Sequence, residues 1–286
     1  MSSVLDLTKI SFNHGPSKCE KHAAKHKEEA DKHLKIVKQK VGLRASKITE
    51  TSYSLVTAYP QLTSQVLDQG SLGSCVANSF CGIMWTTRGI MPSRLYVYFN
   101  CRVGTGECPN ADSGLDLLQS APLMTNFGLT PETTWAYDVN LFSQIPPLLA
   151  YQNAIITPPV TMTPISQTQE SINQALKNKQ FVIFGFYVYN SFMTSQVASN
   201  GVIPIPKSTE KILGGHCIHI VGWTTLNSIP YYIIRNSWGT SWGNDGNPKP
   251  SIPYKFKNNN KNGGFAYMPQ SFVLDPKKSF EFIAVS

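Results

Sequence analysis

The sequence predicts an α+β fold in two lobes with a cleft between them, and two observations carry that prediction. After residue 75 the apolar patterns are first of helical period and later of strand type, a segregation that argues against alternating βαβ units. The chain is also long enough, at 286 residues with 41% hydrophobic and 15% charged residues, to bury a large core as one big domain or two lobes. No apolar run approaches the roughly 18 residues of a membrane span.

The elements follow in order. Residues 16–41 place Ala23, Ala30, Leu34, Val37 and Val41 at helical spacing with Gly42 as a stop, so a basic helix is expected within an N-terminal segment 1–55. Residues 43–65 are polar and Ser/Thr-rich and read as a connection into the main domain, 56–286. Val76, Phe80, Ile83 and Met84 mark a buried helix from Cys75 to about Arg88. Residues 104–114 read as loop, 115–126 as a helix burying Leu117, Leu118 and Leu123, and 169–179 as a short helix. FVIFGFYVY (181–189), HCIHIVGW (216–223) and YYIIRNSW (231–238) are apolar and β-branched or aromatic, hence strands.

Charge and cysteine usage exclude some functions. The net charge is +8, but residues 1–47 hold +6 of it, leaving +2 for the rest. A basic helix of that kind reads as a solvated face rather than a nucleic-acid site. His22 and His26 stand at i, i+4 with Cys19 and His33 nearby, yet lysines crowd them and no convergent ligand set is expected, so no metal is assigned. The start MSSVLDLTKISFNHG lacks a long apolar stretch behind basic residues. A cytoplasmic or otherwise non-secreted location is expected, or export by a route without such a signal. The six cysteines show no CxxC spacing and are expected to stay reduced; Cys101 and Cys108 flank a short Gly-rich loop and would pair only in an oxidising compartment.

Chemistry concentrates at QVLDQGSLGSCVANSFCG (65–82). Ser71, Gly73 and Ser74 leave Cys75 approachable at a helix start, where a thiolate gains from the positive helix end. Only His216 and His219 remain as histidines outside the N-terminal segment. Strand alternation puts them on opposite faces, and Gly214 and Gly215 favour His216 as the one open to substrate. Asn236 ends the next strand, and its carbonyl oxygen can fix the tautomer of an imidazole.

Gln69…Gly73-Ser74-Cys75, Gly214-Gly215-His216 and Asn236-Ser237-Trp238-Gly239 together resemble the active-site signatures of papain-like cysteine peptidases. The separations from Cys75 are 141 residues to His216 and 161 to Asn236, and the likeness runs from about residue 60 to the C-terminus. The resemblance implies a papain-like two-lobed fold, helix-rich around 75–135 and strand-rich around 155–240. It also implies a cysteine-type endopeptidase that needs no cofactor or metal and acts on protein or peptide substrates, with no nucleic acid or membrane partner. Cys75 would be the nucleophile, His216 the acid and base, Asn236 its orienter and Gln69 an oxyanion donor. Trp238 would cover the His–Asn pair, and the strip Asp112-Ser113-Gly114-Leu115 would pair with substrate backbone, making Ser113 and Gly114 contacts. Gly215 and Leu213 would border the substrate, Leu213 as a wall of the second subsite.

Departures sharpen the resemblance. Leu72 and Ala111 stand where secreted relatives carry a bridged pair of cysteines, a paired loss that fits a reducing compartment. The two-histidine occluding loop of cathepsin B is not recognisable in 101–114, although Gly-Gly-His is like that branch, and the long prosegment helix motif of cathepsin L-type zymogens is absent. The whole resembles compact bacterial-type members. Two rival readings are a catalytically idle papain-like binding or structural protein, and acyl transfer or amide hydrolysis on the same triad. The first conflicts with retention of Cys75, His216, Asn236 and Gln69; the second leaves water as the default acceptor. Residues 1–55 are expected to act as an internal inhibitor at the active site, released by displacement or cleavage within 43–60.

Overall fold

The computed structural model describes residues 50–63, 65–154, 160–246 and 263–286. The basic helix expected over 16–41, with its histidines, lies outside the described residues. The chain enters through strand β1 (Tyr53–Ser54) and two 3-10 turns, Leu55–Thr57 and Pro60–Thr63. Three helices follow: α1 (Cys75–Arg88), α2 (Arg94–Gly104) and α3 (Leu117–Asn126), then the shorter α4 (Leu148–Ala154). The rest is β2 (Met162–Pro164), α5 (Gln169–Lys177), β3 (Phe181–Tyr189), α6 (Ser195–Asn200), β4 (Ile212–Leu226), β5 (Ile229–Arg235), β6 (Phe265–Pro269), α7 (Gln270–Val273) and β7 (Ser279–Val285).

The expected segregation of helix and strand is present. The antiparallel sheet runs β2-β7-β3-β4-β5-β6, with β1 added to β4. α1 matches its predicted bounds because eleven of its 14 residues are buried and Gly89, at φ 74, closes it in a left-handed cap. β3 also matches, since its nine residues form a nearly continuous buried run.

Three features depart from expectation. Residues 50–63 are not a free connection: Tyr53 and Ser54 pair with Trp223 and Gly222, and Leu55 and Leu62 are fully buried. Gly222 is what permits this, because a Cβ there would lie 2.3 Å from the Tyr53 carbonyl oxygen. The strand-rich half extends past 240, with β6 beside β5 and β7 between β2 and β3. α2 was not foreseen. Its sequence RLYVYFNCRVG is rich in aromatic and β-branched residues of poor helix propensity, and burial of eight of its 11 residues outweighs that.

α1 packs on β4 at the junction of the helical and strand-rich parts. Cys75 and Ser79, one turn apart, meet successive parts of that strand. The backbone of Cys217 hydrogen-bonds the Cys75 sulfur, and Ser79 Oγ lies 2.9 Å from His219 Nδ1.

Candidate active site

Cys75 is the first residue of α1 and is fully buried. The N-cap, Ser74, makes no side-chain cap hydrogen bond. Its hydroxyl instead meets Tyr137 Oη at 2.6 Å and accepts from Asn78 Nδ2 at 2.9 Å. Backbone groups of Val76 and Cys75 itself are left to face the sulfur, with that of Cys217 from β4. These three contacts lower the thiol pKa, but burial dominates and pushes it up to about 12. The depressed thiol expected from the helix terminus is therefore not what the enclosed cleft produces: loss of solvation for the thiolate exceeds what backbone dipoles return.

His216 and Asn236 lie on neighbouring strands, Asn236 being the residue after β5. His216 Nε2 is 2.8 Å from Asn236 Oδ1. The Trp238 ring stacks on the imidazole at 5.0 Å with an interplanar angle of 28°, and Phe186 meets it edge-on at 5.6 Å. Phe192 and Trp242 extend this aromatic wall behind Trp238. With Asn236 Oδ1 as acceptor, Nε2 carries the hydrogen and Nδ1 is the lone-pair nitrogen of the ring.

Gln69 is fully buried and fixed at both ends of its side chain. Its Oε1 accepts from Ser237 Oγ at 2.7 Å and its Nε2 donates to the Leu72 carbonyl at 3.0 Å, while its backbone N–H donates to the Ser237 carbonyl at 2.9 Å. An amide nitrogen has two hydrogens, so one remains for an oxyanion.

Of the other predicted residues, Gly215 is buried and pairs with Tyr187 in the sheet. Gly114 donates its N–H to Tyr98 Oη at 3.1 Å, and its carbonyl accepts from Ser113 Oγ at 3.5 Å. Ser113 is half-buried beside it. Leu213 is 46% exposed and sits where the β3–β4 register shifts, outside the aromatic wall.

Several residues that hold the site were invisible to sequence reasoning. Tyr137 Oη donates to the Gln69 carbonyl at 2.8 Å as well as meeting Ser74. The Arg94 guanidinium stacks on the Tyr137 ring at 3.7 Å, pairs with Glu132 at 2.7 Å and donates to the Asp68 carbonyl at 2.9 Å. This brace reaches both residues that start the loop before Cys75. On the loop's other side Asp112 accepts the Gly73 N–H through both carboxylate oxygens, at 3.1 and 3.0 Å, and the hydroxyl of Tyr98. Leu72 and Ala111 adjoin these residues, so a carboxylate clamp joins the two segments at the place where the resemblance implied a lost disulfide. The five described cysteines, Cys101 and Cys108 included, are free thiols. No local pattern announces the brace, because Arg94 and Glu132 stand 38 residues apart.

Among the described residues no helix is long and apolar enough to cross a membrane, and no cluster of metal-ligating side chains occurs.

Comparison with known proteins gives the same class. A family model described as papain family cysteine protease matches residues 150–258. An uncharacterized peptidase C1-like protein of Acanthamoeba polyphaga mimivirus is 34% identical over 216 residues, covering 70% of this chain and 68% of the relative. Cathepsin B of Dictyostelium discoideum is 27% identical over 219 residues, covering 68% of each chain. Among solved structures, xylellain, a cysteine protease from Xylella fastidiosa, superposes with a TM-score of 0.67 at 24% identity over 83% of this chain and 86% of its own. Digestive procathepsin L 3 of Tenebrio molitor larval midgut gives 0.56 at 17% identity over 84% of this chain and 72% of its own. The fold is papain-like, and the chain belongs to the papain family of cysteine peptidases. Its activity class is accordingly that of a cysteine peptidase.

Proposed function

We propose that the protein is an endopeptidase that cleaves peptide bonds through Cys75, His216, Asn236 and Gln69. The observation that carries this is the convergence at one point of β4. The Cys217 backbone reaches the Cys75 sulfur, and the adjacent residue, His216, is held by Asn236 at 2.8 Å. The Cys75 sulfur attacks the scissile carbonyl carbon after passing its proton to His216 Nδ1. The oxyanion accepts hydrogen bonds from Gln69 Nε2 and the Cys75 N–H. The His216 imidazolium then protonates the leaving amine, and a water deprotonated by His216 hydrolyses the acyl-enzyme. Water is the default acceptor, which favours hydrolysis over the rival uses of this triad, and the segment 101–114, clamped through Asp112, carries no histidine that would favour release of C-terminal dipeptides.

Because burial outweighs the backbone contacts and pushes the thiol up to about 12, reactivity at neutral pH has to come from pairing with the His216 imidazolium. Labelling with a thiol-directed epoxide, followed by mass mapping, tests the assignment: modification of Cys75 ahead of the other cysteines is expected. Its alkylation should persist well below pH ~8.5, the ordinary thiol value. A rate that rises only toward high pH would remove the ion pair. Cleavage of a peptide blocked at both termini is expected; release of C-terminal dipeptides alone would make it an exopeptidase.

The N-terminal segment is assigned the role of internal inhibitor. The support is its basic, thinly apolar pattern and the likeness of the fold to a procathepsin. Since Tyr53 and Leu55 belong to the packed domain, the shortened chain for comparison should begin near Glu50 rather than at residue 56. A higher kcat/KM for the shortened chain is expected, and equal values would remove the role.

A further inference from the structure

Behind Cys217, on the face of β4 that looks toward α1, lies a small cavity of about 10 Å³ lined by Asn78, Ser79, Gly82, Cys217, His219 and Arg235 among others. The space admits one small species in contact with its lining.

Its lining has an unusual charge balance. Arg235 is 2% exposed, and among the described residues no carboxylate pairs with it. Among the described residues its guanidinium donates to two neutral oxygens, Thr86 Oγ1 at 2.9 Å and the Gln65 carbonyl. Arg94 has Glu132, and Arg102 has three carbonyl oxygens, of Pro109, Ala111 and Phe142. Buried cations are ordinarily paired, because an uncompensated one costs several kcal/mol. Gly82 brings the helix close: a Cβ there would lie 3.2 Å from Arg235 Nη2.

His219 is the cross-strand neighbour of Arg235 and is also buried. Its Nδ1 is 2.9 Å from Ser79 Oγ, and its Nε2 has no hydrogen-bond partner among the described residues. When Ser79 donates to Nδ1, Nε2 bears the hydrogen and is a second unused donor beside a guanidinium that can only donate. A water could accept one of these bonds but would leave the charge uncompensated.

We propose that this cavity is a binding site for a single monatomic anion of the chloride class, held by Arg235 and His219 as the counter-ion the chain does not itself provide. Burial alone draws the Arg235 guanidinium down to about 9 and, with the Arg235 charge, holds the His219 ring neutral. The ion would tie α1 to the ends of β4 and β5, the elements that carry Cys75, His216 and Asn236. The assignment does not depend on the catalytic roles proposed above.

The test uses the full-length protein prepared free of halide. Melting temperature is measured as sodium chloride replaces sodium gluconate at constant ionic strength. A saturable rise of roughly 2–4 °C is expected, with bromide giving an anomalous scattering peak in this cavity in crystals. Thr86→Glu, which offers Arg235 an internal carboxylate, should raise the chloride-free melting temperature and abolish the chloride response; Arg235→Met, if folded, should abolish it too. Equal melting curves in chloride and gluconate, a water in place of bromide, or a full chloride response in Thr86→Glu would each overturn the site.

Discussion

On one face of β4, His216 meets Asn236, Trp238 and Phe186; on the other, three residues along, His219 meets Ser79, Phe181 and the cation of Arg235. Both rings are buried and both strands around them are apolar. What separates them is the sign of the neighbouring polar group. Asn236 presents an oxygen, which suits an imidazole in either protonation state. Arg235 presents positive charge, which together with burial keeps His219 from accepting a proton. One residue type on one strand thus stands beside an acceptor in one case and a cation in the other, which is why only His216 is proposed as the proton carrier.

The largest effect should come from the histidines themselves. Replacing His216 by Ala is expected to lower kcat by about 10²–10⁴-fold, while His219→Ala should retain most turnover and lose stability by about 1–3 kcal/mol. Peptide cleavage and urea unfolding of both variants would decide it, and the reverse pattern would mean that the wrong face had been assigned. Next comes Gln69→Ala, for which a drop of about 10²–10³-fold in kcat with little change in KM is expected. A change confined to KM would place Gln69 in substrate binding instead.

A smaller effect is expected at the brace. Tyr137→Phe removes the hydroxyl between Ser74 and the Gln69 carbonyl. One such hydrogen bond is worth about 0.5–1.5 kcal/mol, so kcat should fall by roughly 2–10-fold. KM should stay level if Tyr137 positions the oxyanion loop, and an unchanged kcat with only lower stability would make it merely structural.

The last effect bears on stability and not on turnover, and it concerns a carboxyl group held uncharged by burial, the acidic counterpart of His219. Glu281 lies in β7 at φ 58, where the β3–β7 register shifts, and accepts the Leu117 N–H at the start of α3. Burial, with the Asp116 charge, raises it to about 8. Its contribution to stability is therefore fully present below the unfolded value of about 4.3 and is lost as pH rises through about 8. Glu281→Gln should flatten the fall in urea midpoint between pH 5 and 8; an unaltered slope would show that other groups carry it.

The sequence by itself determined what depends on local spacing and on a few side chains of special chemistry. The period of Val76, Phe80, Ile83 and Met84 defines α1, and the apolar run 181–189 defines β3, because each pattern is written within one element. Cys75, His216, Asn236 and Gln69 were legible as a set because their order and motifs repeat those of a known family. Only the tertiary structure decided the rest. Whether RLYVYFNCRVG becomes helix, and whether Tyr53–Ser54 joins a sheet at Trp223, depends on surfaces far away in sequence. The same holds for the Asp112 clamp, the Tyr137 brace and the unpaired charge of Arg235, each of which links segments that no local pattern connects. Burial also set the Cys75 thiol against its helix terminus, since solvation of an ion depends on everything packed around it and not on the residues beside it in the chain.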